Sequence, residues 1–290
     1  MIASPGATGY LGGLLCAALA ERGQAVRRLT RRPQRAGTDV FFALDAPFPP
    51  GGLEGVDTLI HAAYDFRPRR ESDLRRLNVD GSRRLLEAAR REGVRRVLFV
   101  SSIAAYAQSR SAYGRLKWAL EQDVAALGGT SIRPGLVFGR ERGGLFAALD
   151  RVVRRAPFVP DFGPAARLYV VHAGDLLGIV GSWLAPATTT ATATAPATRL
   201  IPAAWPDAYT MRRVLEVIAA AAGRRARFLP VPPRLALAGL RALETAGLSL
   251  PFRSDSLVSM LAGNPAPQLA REVLGVALRP LDAGTLGELA

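Results

Sequence analysis

Apolar residues along this chain fall into two alternating patterns, and the alternation predicts a layered α/β fold. Short runs rich in branched and aromatic residues occur at Met1 to Ser4, Ala25 to Thr30, Val40 to Leu44, Thr58 to Ala63, Val97 to Val100 and Thr130 to Gly139. Such runs read as buried parallel strands. Between them, apolar positions repeat at the helical period: Leu11, Leu14, Leu15, Ala18 and Leu19, then Leu74, Leu77, Leu85 and Ala88 within a predicted helix from Ser72 to Glu92. Helices are also predicted over Gly143 to Arg155, over Met211 to Ala222 with Thr210 as N-cap, and over Pro233 to Ala246 with Leu235, Leu237, Leu240 and Leu243 on its apolar side. That last side could touch a membrane but more often packs or acts as a lid. Ala185 to Thr198 is low-complexity Ala, Thr and Pro and reads as a flexible loop. Strand–helix alternation predicts a twisted parallel sheet between helix layers.

Two stretches carry chemistry. Gly6, Gly9 and Gly12 form Gly-x-x-Gly-x-x-Gly between the first strand and the first helix. A tight glycine turn there lets backbone N–H groups, those of Thr8, Tyr10 and Leu11 included, approach a pyrophosphate at the helix N-terminus. The second stretch runs from Val97 to Lys117, where a strand ends in Ser101-Ser102 before a helix carrying Tyr113 and Lys117. Four residues apart, Tyr113 and Lys117 share one helix face. An ammonium beside a phenol favours the phenolate, so Lys117 is expected to lower the Tyr113 pKa toward neutrality for proton exchange with a substrate oxygen. Ser102 would hold the same oxygen, with Ser101 as the fallback. Of the 38 basic residues, Lys117 is the sole lysine. A bias that replaced lysine with arginine everywhere else left this one.

Ser102, Tyr113-x-x-x-Lys117 and the glycine pattern together resemble the short-chain dehydrogenase/reductase superfamily, in its extended or atypical branch of NAD(P)-dependent epimerase/dehydratase-like proteins. The resemblance implies a Rossmann-type doubly wound parallel sheet with a smaller C-terminal substrate lobe, and a catalytic Ser102, Tyr113 and Lys117. It also implies that Asn78, in Asn78-Val79-Asp80-Gly81, supports the lysine, that Asp45 contacts the adenine amino group, and that Ala62 and Ala63 lie against the cofactor. Arg133-Pro134 through Gly139 resembles the turn that closes over the nicotinamide, although Phe138 and Arg140 depart from the family pattern there. Pro5 departs too, standing where the family's first strand ends in Thr; the strand is abbreviated or its start lies upstream. His61 at a strand end, and His172 with Asp175 at a later turn, read as structural. In the family an acidic residue after the second strand reads the ribose of NAD, whereas this chain has Thr30-Arg31-Arg32. An arginine fork pairs with a 2′-phosphate, so the expected cofactor is NADP(H) in preference to NAD(H), with Arg31 as the contact.

Composition narrows the remaining readings. At 290 residues the chain fits a dinucleotide-binding domain over 1–160 and a smaller lobe over 161–290, partly interleaved. With 49% hydrophobic and 21% charged residues it is not disordered at domain scale. One cysteine, Cys16, excludes an internal disulfide and a cysteine-cluster metal site, and no metal ligand set is expected. A net charge of +14 raises nucleic-acid binding, but the arginines are dispersed and no nucleic-acid motif is present. Expected partners are a small-molecule substrate and a second copy in a homodimer, with no nucleic acid and no stable membrane insertion, in the cytoplasm. Only eleven positions separate Ser102 from Tyr113, fewer than in sugar-nucleotide enzymes. The expected activity is therefore NADP(H)-dependent hydride transfer to or from a carbonyl or alcohol carbon. A sugar-nucleotide epimerase/dehydratase and a non-catalytic NAD(P)-binding scaffold are the alternatives.

Overall fold

A computed structural model describes residues 1–141, 143–185, 199–248, 252–265 and 267–288. In chain order the first elements are β1 (Ile2–Pro5), α1 (Tyr10–Glu21), β2 (Val26–Thr30), β3 (Asp39–Phe41) and β4 (Thr58–His61). β1 has four residues, all buried, and pairs in parallel with β2 and β4, Ile2 lying opposite both Val26 and Thr58. Pro5 belongs to the strand as its last residue, where a missing N–H interrupts the ladder least, and its carbonyl accepts from Ala62 N at 3.3 Å. β3 stops at Phe41, short of the predicted Leu44.

The predicted helix over 72–92 is present but uneven. It consists of α2 (Glu71–Leu74), a π-helical stretch Arg75–Asp80 and α3 (Gly81–Arg91). A π-helical turn widens the backbone and re-aims its side chains, and Asn78 lies within it. There follow β5 (Arg96–Val100), α4 (Ala112–Ala126), β6 (Thr130–Pro134), β7 (Leu136–Phe138), α5 (Gly144–Arg155), β8 (Val159–Asp161), β9 (Arg167–Leu168), β10 (Val170–His172) and α6 (Ala173–Leu184). The chain ends with β11 (Leu200–Ala203), β12 (Tyr209–Thr210), α7 (Met211–Ala221), β13 (Phe228–Pro230), α8 (Pro233–Thr245), α9 (Ser254–Leu261), β14 (Glu272–Val273) and β15 (Val276–Ala277). The Thr210 side chain caps α7 as expected, accepting from Arg213 N at 3.2 Å. Most of the predicted Ala/Thr/Pro loop, residues 186–198, lies outside the described residues.

Seven strands form one sheet in the order β11-β6-β5-β4-β1-β2-β3. Strand order reverses between β1 and β4, so the carboxyl ends of these strands open the crevice in which doubly wound folds bind ligands. The expected Rossmann-type sheet is thus present.

The chain forms two compact units whose segments interleave along the sequence. One comprises Met1–Ser101, Leu116–Arg133 and Leu184–Ile201. The other comprises Ser102–Arg115, Pro134–Trp183 and Pro202–Ala290. Each has its own core. Leu29, Leu59, Leu85, Phe99, Leu116 and Leu120 pack together in the first, and Phe138, Phe146, Leu149, Val170, Val214 and Leu257 in the second. Apolar burial of this kind contributes about 25 cal/mol per Å² of surface removed from water.

Candidate functional site

In the first unit, a cleft of about 270 Å³ opens at the strand ends. Its lining includes Gly6, Thr8, Gly9, Arg31, Asp45, Ala62 and Ala63, all expected from the sequence. Gly12 lies beneath it, at the start of α1, and must be glycine: a Cβ there would sit 2.1 Å from the Gly6 carbonyl oxygen. Only a bare backbone lets the turn and helix approach this closely. Gly9 is the N-cap of α1, no side chain caps that end, and the first turn holds no acidic residue. Tyr10 and Leu11 continue α1, both half-buried. The terminus is therefore electrostatically suited to an anion.

The cleft also contains residues that sequence reasoning passed over. Tyr64, Asp65 and Arg67 line it beside Arg31. The Arg67 guanidinium donates to both Asp65 carboxylate oxygens, from Nε to Oδ1 at 3.0 Å and from Nη2 to Oδ2 at 2.5 Å, and an Arg31 nitrogen lies 3.9 Å from the same carboxylate. Burial works to raise the Asp65 pKa, yet the Arg67 hydrogen bonds outweigh it and hold the carboxyl below its ordinary range. Arg31 itself is well exposed.

Asn78 does something other than the expected support of the lysine in its described hydrogen bonds. Its Oδ1 accepts from Asp65 N at 2.6 Å, and its Nδ2 donates to the carbonyls of Asp65 at 2.9 Å and Leu74 at 3.1 Å. It thereby fixes the backbone of the segment that carries Tyr64, Asp65 and Arg67. The widened π-helical turn gives this side chain its reach.

His61 is fully buried; its Nε2 meets Ser82 Oγ at 2.8 Å and its Nδ1 accepts from Ala63 N at 3.3 Å. Burial, reinforced by the Lys117 charge, lowers its pKa to about 3. It is a neutral histidine that shapes the Ala62-Ala63 turn, in keeping with a structural role.

Lys117 is buried, with Nζ donating to Val100 O at 2.7 Å and lying 4.6 Å from the Phe99 ring centroid and 5.0 Å from that of Tyr64. Burial lowers its pKa to about 7, opposed by the Glu121 carboxylate one turn along α4. Glu121 is in turn held by a bidentate Arg133, at 2.8 and 2.6 Å. Ser101 Oγ, in the same unit, is buried without a hydrogen-bond partner.

Ser102 and Tyr113 belong to the second unit. A hydrogen bond joins their hydroxyls. Burial raises the Tyr113 pKa to about 12, and the Ser102 hydrogen bond only moderates the rise. This overturns the expected depression by Lys117. Burial dominates for both groups, and both are pushed toward their neutral forms.

The start of α4 is held in an unexpected way. The Asp255 carboxylate, in the first turn of α9, accepts from Ala112 N at 2.7 Å and from Tyr113 N at 3.0 Å. At the other end of α9, the Ala262 carbonyl accepts from Tyr106 Oη at 2.6 Å. The segment bearing Ser102 and Tyr113 is thus tied to both ends of one short helix. Gly114 allows the loop to close on α4, since a Cβ there would lie 2.1 Å from Ser109 Oγ and 2.3 Å from the Ala104 carbonyl oxygen.

Pro134 ends β6, and its carbonyl accepts from Ile103 N at 3.0 Å. Phe138 is fully buried against Phe146 and His172, a core role. His172 Nδ1 accepts from Gly174 N, whereas Asp175 binds Arg279, accepting from its backbone N and Nε at 2.7 Å each. Only the histidine pins the turn; the aspartate anchors the C-terminal segment.

Residues 5–156, more than half of the chain, match the NAD dependent epimerase/dehydratase family. The chain belongs to that family. It is 34% identical over 188 residues to a ceramide reductase of Caulobacter vibrioides, an alignment covering 60% of this chain and 58% of that protein. It is 37% identical over 110 residues to sterol demethylase protein B of Methylococcus capsulatus, covering 34% of each. This family member thus aligns with little more than half the length of the first curated relative and about a third of the second. Among solved structures, the crystal structure of gox2253 superposes with a TM-score of 0.73 at 20% identity, over 99% of this chain and 95% of that one, a likeness of fold.

Proposed function

We propose that this family member is an NADP(H)-dependent oxidoreductase acting at a carbonyl or alcohol carbon of an apolar, lipid-like substrate. The observation that carries this reading is the hydrogen bond between Ser102, just after β5, and Tyr113 on α4, the helix that also bears the buried Lys117. The cleft residues fit a dinucleotide. The Gly6–Gly12 contact leaves room only for bare backbone at the turn, the adjoining helix end lacks acidic groups, and Arg31 offers a cationic fork beside it. Asp45, Ala62 and Ala63 would lie along the adenosine side, and Lys117 would hold a cofactor hydroxyl.

When bound, the cofactor supplies or accepts the hydride. Tyr113, with its pKa at about 12, stays protonated at neutral pH and so gives its proton to the carbonyl oxygen in the reductive direction. Ser102 donates to the same oxygen and holds it in place. In the oxidative direction the same residue, as phenolate, takes the proton from the alcohol. The lipid-like substrate class is supported by the names of the two curated relatives, one a ceramide reductase and the other a sterol demethylase protein. The family's description supports a second reading, a sugar-nucleotide epimerase or dehydratase. That reading predicts cofactor retained through purification and no net consumption of NADPH.

Titration of the purified protein with NADPH and with NADH, followed by nicotinamide fluorescence, tests the cofactor assignment. NADPH is expected to bind more tightly, and Arg31→Glu to weaken it by about tenfold or more while sparing NADH. Equal binding of the two nucleotides, unchanged in the variant, contradicts the assignment to NADP(H). If neither nucleotide binds, the oxidoreductase reading itself is contradicted.

A further inference from the structure

The cofactor cleft and the Ser102–Tyr113 pair leave unused one feature of the second unit, the outer face of α8. This helix buries none of its residues completely. Ala236, Leu237 and Leu240 form its inner side and pack on the core. Opposite them, Leu235, Ala238, Gly239, Ala242 and Leu243 are exposed, Leu235 to 66% and Leu243 to 42%. Leu229 in β13, Leu248 after α8, and Phe158 before β8 are also large apolar side chains left in water. A helix in water ordinarily turns its polar residues outward, so an apolar outer face implies something that covers it.

The charges around this face say what. From Val217 to Leu243 the sequence carries five arginines, Arg224, Arg225, Arg227, Arg234 and Arg241, and no acidic residue. All five are exposed. The first carboxylate beyond them, Glu244, is turned to Ser254, accepting from its backbone N and Oγ at 2.8 and 2.7 Å. β13 pairs in parallel with β8, so Arg224, Arg225 and Arg227 enter at the same end of the pair as Arg154, Arg155 and Phe158. Arg234 and Arg241, seven residues apart, lie along one flank of the α8 stripe. An apolar stripe edged by Arg234 and Arg241, with the nearby carboxylates Asp161 and Glu216 paired to Arg212, is complementary to a surface of acyl chains beneath anionic headgroups.

We propose that α8 and its arginine flank dock this protein on anionic lipid bilayers. The contact is peripheral: among the described residues no helix is long and apolar enough to cross a membrane. Leu235 and Leu243 enter the headgroup boundary, and the arginines pair with lipid phosphates.

Flotation of the full chain with vesicles tests this without substrate or cofactor, so the outcome is independent of the proposed activity. The protein is expected to float with equimolar phosphatidylglycerol and phosphatidylcholine, to stay behind with phosphatidylcholine alone, and to be released by salt. Leu235→Glu with Leu243→Glu should lower the bound fraction by about tenfold or more with an unchanged melting temperature. If that variant melts early, Arg234→Gln with Arg241→Gln reads the same surface through its charge. Absence from the anionic vesicles, or binding that neither pair alters, overturns the proposal. So does concentration-dependent self-association in lipid-free buffer that the leucine substitutions abolish, because a second copy would then cover the face.

Discussion

Lys117 and Tyr113 show how burial sets the chemistry of single residues here. Sequence spacing placed them one helical turn apart, but spacing carries no information on how deeply each is buried. With the Lys117 pKa brought down to about 7 from an ordinary 10.5, the folded protein releases this proton before the unfolded chain does. Below about pH 7 both states are protonated, and burying the charge costs stability in full. Between about 7 and 10.5 the unfolded chain binds more protons, so stability rises with pH across that window. The melting temperature of the cofactor-free protein should therefore climb from neutral to alkaline pH, and Lys117→Met should flatten that climb; calorimetry across the window checks it. A slope identical in the variant contradicts the assigned burial. The composition signal was sound in its own terms: the sole lysine is a deeply buried residue, where an arginine could not shed its charge.

At the scale of elements, the strand and helix pattern was legible because it rests on local periodicity, and Thr210 capping α7 followed from local chemistry. What escaped was long-range. Asp255 drew no reading from the sequence, and nothing near it reveals that its carboxylate caps α4, more than 140 positions earlier. The π-helical turn at Arg75–Asp80 is equally silent, since apolar spacing on either side still fits an ordinary helix. Asn78 was legible through the family resemblance, and its partner in the fold, the Asp65 backbone, is set by long-range packing. Asp255→Ala should cost about 1–2 kcal/mol of stability, by removing both acceptors from the α4 N-terminus. Because the cap sets the backbone of Tyr113, the same change should lower turnover more than it raises the Michaelis constant, and leave NADPH affinity unchanged. Asp255→Asn, which keeps one acceptor oxygen, should recover part of the turnover. A loss of cofactor affinity in step with turnover would show instead that the fold at large has been disturbed.

At the scale of the whole molecule, the glycine turn, the strand-end serine and the Tyr–Lys helix were each weak in isolation and became specific through their order along the chain. In the fold seven of the residues singled out for the cofactor line one cleft, and Ser102 meets Tyr113 in the second unit. Substrate identity was not legible, because pocket shape depends on loops whose sequence follows no period. The arginine excess looked dispersed along the chain, but Arg234 and Arg241 stand on one flank of α8. The most direct test of the account is reduction of long-chain ketones by the purified protein with NADPH, read as loss of nicotinamide absorbance and appearance of the alcohol. The expected result is net NADPH consumption matched by alcohol, reduced by about two to four orders of magnitude in Tyr113→Phe while NADPH still binds. Turnover unaffected by Tyr113→Phe, or substrate interconversion with no net NADPH consumed, would contradict it.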